Sequence, residues 1–435
     1  MAGAIGRGET VKLETAFTMD TSSIKYGPGV TREVGYDMKQ LGAQRVMVLT
    51  DPNLVDRESV SVTLEALRSE NIDAVLYKDV RIEPTDISFQ DAIRFASDGQ
   101  FDGYVAVGGG STMDTAKAAN LYATYPADFL AYVNPPIGQG QPIPGQLKPL
   151  IAIPTTAGTG SETTGVAIFD YLDMHAKTGI AHRALRPVLG IVDPDNTRTL
   201  PKMATACTGF DVLCHALESF TALPYDQRPA PTDPGSRPAY QGANPISDVW
   251  TTRAIQMVSQ NIVHAVQDSS DDEARGQMLL AASLAGIGFG NAGVHLPHGM
   301  SYPVSGMVRD YAPEGYMPEH PIIPHGMAVT LNAPAVFRFT APANPERHLY
   351  AAGLMGVDTS HASPDDAGEL LASAILDLMR QTGMPNGLSA VGYKPEDVSK
   401  LVAGTLPQHR VTKLSPRPFA ESELEKLFLD SMTCW

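Results

Sequence analysis

Short runs of β-branched and apolar residues alternate with helical patterns over the first half of this chain. The runs lie at residues 45–50, 74–77, 104–107, 150–153 and 189–192. Strands that alternate with helices predict a largely parallel sheet, because each return to the same end of the sheet needs a crossover connection. The N-terminal half is therefore predicted to be an α/β domain.

The second half has a different pattern. Segments rich in Ala, Leu and Met predict helices at residues 249–267, 273–286, 364–382 and 420–432. Turn-forming residues cluster at 193–201, and we place a boundary there, which gives an α/β domain at 1–198 and a helical domain at 199–435. The Pro- and Gly-rich stretch 223–245 is predicted to be a long surface loop.

Composition excludes several classes of protein. The 435 residues carry a formal net charge of −16, which disfavours nucleic acid and anionic membranes as partners. Cys207, Cys214 and Cys434 are too few for a disulfide framework and favour a reducing compartment. The first residues contain early acids and no long apolar run, so we predict a cytoplasmic protein, with the mitochondrial matrix as the alternative if a presequence has been removed.

Two glycine-containing loops each follow an apolar run. Gly108–Gly110 lie between a predicted strand and a helix start, where the missing Cβ atoms and free N–H groups suit a pyrophosphate. The second loop, PTTAGTGSE at 154–162, adds hydroxyls and backbone donors. Asp51 closes the 45–50 run and could accept hydrogen bonds from a ribose. Ordinary turns are the alternative for the first loop and for Asp51, and the first loop does not match GxGxxG.

A metal site is suggested by spacing and by repetition. Asp211 and His215 lie four residues apart, one turn along a predicted helix face, although this segment by itself favours a capping box that starts at Thr208. The tetrapeptide PHGM occurs twice, around His298 and His325. One carboxylate and three imidazoles suit Fe²⁺, which we favour, or Zn²⁺.

Nearby polar residues are less convincing as ligands. His295 is a weaker candidate ligand than the four residues above. Cys214 adjoins His215 but points away around the helix, and we predict that it belongs to the core. Glu218 could hydrogen-bond a ligand, but a solvated residue is the simpler interpretation.

Several segments in a fixed order resemble the iron-containing (group III) alcohol dehydrogenases from about residue 26 to the C-terminus. They are GGGSTMDTAK, IPTTAGTGSE, DVLCHALES, NPISD, HGMSYP and PHGM. The resemblance implies a Rossmann-like N-terminal domain plus an all-α C-terminal domain, the dehydroquinate synthase-like fold, with the reaction in the cleft between them. It also implies NAD as cofactor and a homodimer or larger homo-oligomer.

The same resemblance assigns roles to individual residues. The implied metal ligands are Asp211, His215, His298 and His325. The implied NAD-lining residues are Asp51, Gly109, Gly110, Ser111, Asp114, Thr155, Thr156, Thr159, Ser161 and Lys177. Two positions depart from the family pattern. Tyr302 replaces the usual proton-relay histidine and becomes the candidate catalytic residue, with a water molecule as the alternative, and Glu83 replaces a small amide near the adenine.

Within the family, the chain is most similar to the hydroxyacid–oxoacid transhydrogenase subgroup. The similarity is carried by RPAYQGANPISD, by AGIGFGNAGVHLPHGMSYPVSG and by GTLPQHRVTKLSP. It implies hydride transfer between a hydroxyacid such as 4-hydroxybutyrate and an oxoacid such as 2-oxoglutarate. The alternatives are an NAD-dependent primary alcohol dehydrogenase that releases NADH, and a catalytically silent binding protein. Cations proposed for the substrate carboxylate are Lys117, Arg183, Arg309 and Arg338.

Overall fold

A parallel sheet with flanking helices precedes a helical half in the computed structural model, which describes residues 12–174, 176–316 and 321–435. The strands are β1 (Ser23–Tyr26), β2 (Arg45–Leu49), β3 (Asp73–Tyr77), β4 (Gly103–Gly108), β5 (Leu150–Pro154), β6 (Val166–Tyr171), β7 (Ala176–Ala181) and β8 (Leu189–Val192). The helices are α1 (Val34–Gln40), α2 (Glu58–Ser69), α3 (Asp86–Gly99), α4 (Gly110–Thr124), α5 (Lys202–Thr221), α6 (Pro245–Gln267), α7 (Asp272–Ala292), α8 (Leu296–Gly306), α9 (His325–Thr340), α10 (Pro345–Leu354), α11 (Ala367–Thr382), α12 (Val398–Thr405), α13 (His409–Thr412) and α14 (Glu421–Asp430).

The main sheet contains six parallel strands in the order β1-β8-β5-β4-β2-β3. All five strands predicted from apolar runs form, so the prediction of a largely parallel sheet is confirmed. The edge strand β1 was missed because none of its four residues is buried, which leaves no apolar run to detect. The antiparallel hairpin β6–β7 was missed as well.

Strand β2 shows why this sequence needs helices on both faces of the sheet. Val46 and Val48 pack against one hydrophobic cluster, and Met47 and Leu49 pack against another on the opposite face. All four side chains are fully buried, as expected for successive residues of a central strand. Helices α1 and α2 contribute to the first cluster, and α3 and α4 to the second.

The order of the strands creates a crevice at one edge of the sheet. From β2 the chain moves outward to β3, and it then returns to β4 on the other side of β2. Connections that diverge in this way leave an opening outside the carboxyl ends of β2 and β4, where α/β proteins bind ligands. The glycine loop after β4 and Asp51 after β2 both lie at this edge.

The helical half matches its prediction, because all four predicted segments lie within or overlap α6, α7, α11 and α14. The surface-loop prediction for 223–245 is only partly right. Tyr240, Gln241 and Asn244 at its end are buried. The reason is local: Asn244 caps α6 by accepting hydrogen bonds from the Ile246 and Ser247 N–H groups, and Gln241 bonds Thr18.

The transition between the halves is short. Strand β8 ends at Val192 and α5 begins at Lys202, so the proposed boundary after residue 198 falls in the connecting segment. Within the described residues, no single helix is long and apolar enough to cross a membrane. Helices α7 and α8 together have that length and apolar composition, but the pair is bent by 105°.

Candidate metal and dinucleotide site

Helix α5 carries two of the four candidate ligands and the nearby acid. Asp211, His215 and Glu218 lie on consecutive turns of one face and are all buried. The helix begins at Lys202, and the Thr208 hydroxyl donates to the Ala204 carbonyl within it, 2.8 Å away. Thr208 is therefore an interior residue, and the capping-box interpretation of this segment is wrong.

The two PHGM segments begin helices that meet α5. His298 is the third residue of α8, and His325 is the first residue of α9. Gly326 is needed where α9 packs against α5, because a Cβ atom there would lie 2.0 Å from the Cys207 carbonyl oxygen and 2.9 Å from Asp211 Cβ. The glycine thus lets the start of α9 contact α5 directly and brings His325 beside Asp211.

Three imidazole side chains surround one oxygen of the Asp211 carboxylate. Asp211 Oδ1 lies 3.9 Å from His215 Nε2, 3.6 Å from His298 Nε2 and 3.8 Å from His325 Nε2. Candidate ligand atoms of Asp211, His298 and His325 all lie within 4.8 Å of one another. Asp211 Oδ1 and His298 Nε2 are buried without a hydrogen-bond partner among the described residues.

This arrangement fits a divalent cation. Buried polar atoms without partners are costly unless a ligand satisfies them. An oxygen donor with imidazole nitrogens suits Fe²⁺ or Zn²⁺. The His325 side chain is 26% exposed, whereas those of Asp211 and His298 are 4% exposed, so the cluster opens on the His325 side.

Glu218 contacts the His298 ring on the side opposite Asp211. Its Oε1 lies 2.6 Å from His298 Nδ1, and its Oε2 accepts from the His295 N–H at 2.7 Å. Glu218 is fully buried, so the interpretation as a solvated residue is wrong. A histidine that binds a metal through one ring nitrogen usually bonds a carboxylate through the other, and Glu218 makes that contact with Nδ1 while Nε2 faces Asp211.

Burial and neighbouring charges set the ionisation of the cluster. Burial lowers the pKa of His298, but the carboxylates of Glu218 and Asp211 outweigh it and raise the pKa to about 10. Burial lowers the pKa of His215 to about 3. Burial opposes ionisation of Asp211, yet the three histidines hold its pKa well below the usual value. Asp211 is therefore ionised, and His215 is neutral and able to bind a cation.

The other two residues near this cluster have structural contacts. Cys214 is buried in the helical core beside Thr330, which confirms the prediction of a core residue. His295 is buried with its Nε2 at 3.0 Å from Thr221 Oγ1, on the side of the Glu218 contact. Neither residue joins the group around Asp211 Oδ1.

The two glycine-containing loops lie side by side because β4 and β5 are neighbours, with Gly108 opposite Pro154. A Cβ atom at Gly110 would lie 2.6 Å from Thr159 Cγ2, and one at Gly109 would lie 3.3 Å from Thr156. The start of α4 and the threonine loop thus form one polar surface at the crevice.

Asp51 lies at the same edge, after the adjacent strand β2. Its Oδ1 accepts from the Asn53 N–H at 2.9 Å, as expected for a turn aspartate. Asp51 is therefore a turn residue, and its carboxylate lies at the crevice. Because β2 and β4 are neighbours, this acid lies beside the glycine loop although it precedes the loop in the chain.

Asp114 and Ser161 belong to a buried network beneath the two loops. Ser161 Oγ donates to Asp114 Oδ1 at 2.7 Å, and Asp114 Oδ2 accepts from the Ile168 N–H at 2.9 Å. The Lys117 ammonium, fully buried, bonds Ser161 and the Val166 carbonyl. This network fixes the loops to the hairpin and removes Lys117 from the candidates for the substrate carboxylate.

Lys177 lies on the hairpin, outside the glycine and threonine loops. Its Nζ pairs with Glu83 Oε2 at 2.6 Å and Asp170 Oδ1 at 3.1 Å. The Glu83 N–H lies 3.2 Å from Ser111 Oγ, which connects this ion pair to the start of α4. Glu83 and Lys177 line a cavity of about 160 Å³ whose other wall includes Ser305 at the end of α8.

Tyr302 lies one turn after His298 on α8. It is buried, and its ring stacks on that of His325 with centroids 6.3 Å apart. Its hydroxyl accepts from Arg410 Nη2 at 3.3 Å. Arg410 was missed as a candidate, although it lies in the GTLPQHRVTKLSP segment that the sequence analysis singled out.

The other three cations proposed for a carboxylate have partners elsewhere. Arg183 pairs with Asp20, Arg309 with Asp397, and Arg338 with Glu369. None of these pairs contacts a residue of the metal cluster or of the two loops.

Comparison with known proteins gives consistent matches over nearly the whole chain. The model of the iron-containing alcohol dehydrogenases matches residues 21–194, and that of the C-terminal part of the Fe-containing alcohol dehydrogenase family matches residues 239–432. The mitochondrial hydroxyacid-oxoacid transhydrogenase of Xenopus tropicalis is 56% identical over 423 residues, covering 97% of this chain and 91% of that protein. The mouse protein of the same name is 55% identical over 419 residues, covering 96% and 90%.

Solved structures show the same fold. A 1,3-propanediol oxidoreductase aligns with a TM-score of 0.84 at 28% identity, covering 96% of this chain and 100% of that one. Sulfoacetaldehyde reductase from Bifidobacterium kashiwanohense, in complex with NAD⁺, aligns with a TM-score of 0.78 at 25% identity, covering 96% and 98%. The predicted fold class is thereby confirmed.

Proposed function

Because this chain belongs to the iron-containing alcohol dehydrogenase family, we propose that it is a metal-dependent, NAD-linked hydroxyacid–oxoacid transhydrogenase. The reaction would move a hydride from a hydroxyacid such as 4-hydroxybutyrate to an oxoacid such as 2-oxoglutarate. The observation that carries the proposal is the cluster of three imidazoles around Asp211 Oδ1, in a chain more than half identical to proteins with that name.

In this proposal Asp211, His215, His298 and His325 hold the metal ion. When bound, a divalent ion polarises a hydroxyl or carbonyl oxygen. Fe²⁺ is favoured by the family, and Zn²⁺ suits the same ligands. Glu218 keeps His298 oriented through its 2.6 Å contact, and the opening beside His325 gives the substrate its approach.

NAD would lie along the crevice at the carboxyl edge of the sheet. The N–H groups at Gly109–Ser111 would bind its pyrophosphate, together with hydroxyls of the threonine loop. Asp51 would bind the adenosine ribose and disfavour a 2′-phosphate. Asp114 and Ser161 would position the loops, and Lys177 would approach the cofactor from the hairpin. A bound nicotinamide accepts and returns the hydride.

Tyr302 is proposed to hold and transfer the proton of the reacting hydroxyl. Its ring lies beside His325, and the Arg410 guanidinium donates to its oxygen. Tyr302→Phe is expected to lower kcat about 100-fold at unchanged metal content, since general acid–base groups contribute factors of this size. Unchanged kcat would assign the proton transfer to water.

The proposal is tested with 4-hydroxybutyrate deuterated at C4, 2-oxoglutarate and a large excess of unlabelled NADH in solution. A retained nicotinamide gives 2-hydroxyglutarate with nearly full deuterium. An NAD-dependent primary alcohol dehydrogenase that releases NADH gives product diluted by the free pool. Absence of 2-hydroxyglutarate from protein with confirmed metal and NAD content would contradict both the transhydrogenase and its substrate class.

Two further proposals concern the setting of the enzyme. Relatives from several animals carry the word mitochondrial in their names, which supports the matrix alternative over the cytoplasmic prediction. Detection of the natural protein in matrix and cytosolic fractions of its own cells would test this assignment. A homodimer or larger assembly is proposed from the family, and light scattering of the purified protein measures it directly.

A further inference from the structure

Three distant segments contribute to one cluster beside the metal ligands. Tyr240 comes from the end of the 223–245 stretch, Tyr302 from α8 and Arg410 from α13. The guanidinium carbon of Arg410 lies 5.0 Å from the centroid of the Tyr240 ring, and its Nη2 donates to Tyr302 at 3.3 Å. The three residues lie in the three segments that carry the similarity to the transhydrogenase subgroup.

Helix α13 is held close to the metal-binding end of α8. A Cβ atom at Gly299, the residue after His298, would lie 2.4 Å from the Thr412 side chain. Thr412 and the adjacent Val411 are buried in this contact region. Arg410 is therefore fixed on the same side of α8 as the candidate metal site, with the Tyr302 ring between Arg410 and His325.

Arg410 has an unsatisfied charge. Its Nη1 is buried without a hydrogen-bond partner among the described residues. Its neighbours are the Tyr240 ring and the Tyr302 hydroxyl, and it forms no ion pair with a carboxylate among the described residues. Arg410 as a whole is half-buried, and a guanidinium, which is always charged, is costly to enclose even partly without an anion. The cations proposed from sequence, by contrast, all have protein partners.

We infer that Arg410 binds the carboxylate of the substrate and thereby selects short hydroxy and oxo carboxylates over neutral alcohols. The inference rests on the proposed function, since it assumes that the reacting carbon lies at the metal site. A guanidinium can bind a carboxylate with two parallel hydrogen bonds, and Nη1 has no hydrogen-bond partner among the described residues that a carboxylate would have to displace. The tyrosine hydroxyls complete an anion site one ring away from His325.

The dinucleotide phosphates are the competing anion. They are expected at the start of α4, where backbone N–H groups are free. Arg410 instead contacts Tyr302, whose ring lies against His325. The Arg410 site is thus adjacent to the metal side of the cleft, where the substrate and not the pyrophosphate would lie.

The test compares Arg410→Gln, Arg410→Lys and the control Arg417→Gln. Arg417 is exposed, lies seven residues further along and also stacks on an aromatic ring, Phe339 at 4.3 Å, so the control removes the same charge from the same segment. Metal content, thermal stability and NADH affinity are measured first for each protein. Comparable values in all of them show that the variants are folded and loaded.

The main readout is the ratio of kcat/KM for 4-hydroxybutyrate to that for 1-butanol, which lacks the carboxylate. Loss of a charged hydrogen-bonded pair is expected to lower this ratio about 10- to 100-fold in Arg410→Gln, mainly through KM. Arg410→Lys is expected to fall between Gln and the original residue, and Arg417→Gln to keep the ratio. A second readout is binding of glutarate, an unreactive dicarboxylate, followed by calorimetry.

Equal losses for both substrates in Arg410→Gln, with unchanged glutarate binding, would overturn the inference and make Arg410 a positioning residue for Tyr302. An equal drop of the kcat/KM ratio in Arg417→Gln would also overturn the inference, because the ratio would then depend on the net charge of the protein and not on a contact with Arg410. Failure of the original protein to oxidise 4-hydroxybutyrate would refute the proposed function alone. Glutarate binding that depends on Arg410 would still support the carboxylate site in that case.

Discussion

Replacement of Glu218 by glutamine tests whether the residue behind His298 controls metal affinity. One carboxylate oxygen now contacts His298 Nδ1 at 2.6 Å and the other accepts from the His295 N–H at 2.7 Å. Glutamine has only one acceptor oxygen, so its NH₂ group must face one of these donors. The lost hydrogen bond to a charged group is worth about 1.5–3 kcal/mol, and Glu218 is fully buried, so solvent cannot replace it.

This loss corresponds to a metal dissociation constant raised about 10- to 100-fold. Competition between the metal-depleted protein and a chromophoric chelator for Zn²⁺ measures that constant. Glu162→Gln is the matched control, because Glu162 is also buried but bonds Ser283 at 2.6 Å, away from the ligands. Unchanged affinity in a correctly folded Glu218→Gln protein would refute the role assigned to this carboxylate.

Three further predictions follow from the same structure. Gly326→Ala places a Cβ atom 2.0 Å from the Cys207 carbonyl oxygen, so it should destabilise the metal-free protein by about 1–3 kcal/mol in denaturant unfolding; unchanged stability would mean that α9 can shift freely. Asp51→Asn should weaken NADH binding about tenfold and improve the relative affinity for NADPH in fluorescence titrations, because a buried charged acceptor is lost. At pH 8 the metal-free protein should release about one proton per ion bound, since the pKa of His298 is raised to about 10 and its proton must leave; dye-monitored titration that detects no proton would contradict this.

The sequence predicted the parts of the molecule that depend on local patterns. The central strands were recognisable because both of their faces are buried, and the four candidate ligands because PHGM is repeated and Asp211 and His215 are one turn apart. Arg410 could not be predicted in the same way. Its role depends on Tyr240 and Tyr302, which lie 170 and 108 positions earlier in the chain and are adjacent only after folding.

Glu218 and Glu83 show the same limit for charged residues. An acid on a helix is usually solvated, and only the folded structure shows that Glu218 is enclosed by His295 and His298. Glu83 has a backbone φ of +53° and pairs with a lysine 94 positions away on a hairpin that the strand patterns did not indicate. The contacts of both acids therefore depend on burial and on partners distant in the chain, which their residue type does not indicate.

The threonine loop also makes direct main-chain contact with the helical half. At Gly160, whose φ is +58°, a Cβ atom would lie 2.7 Å from both the Ala282 carbonyl oxygen and Gly286 Cα on α7. Larger side chains at either glycine would force the halves apart at the loop proposed to bind phosphates. The position of this loop is therefore set by α7 as well as by the sheet, so the shape of the proposed phosphate site depends on how the helical half packs.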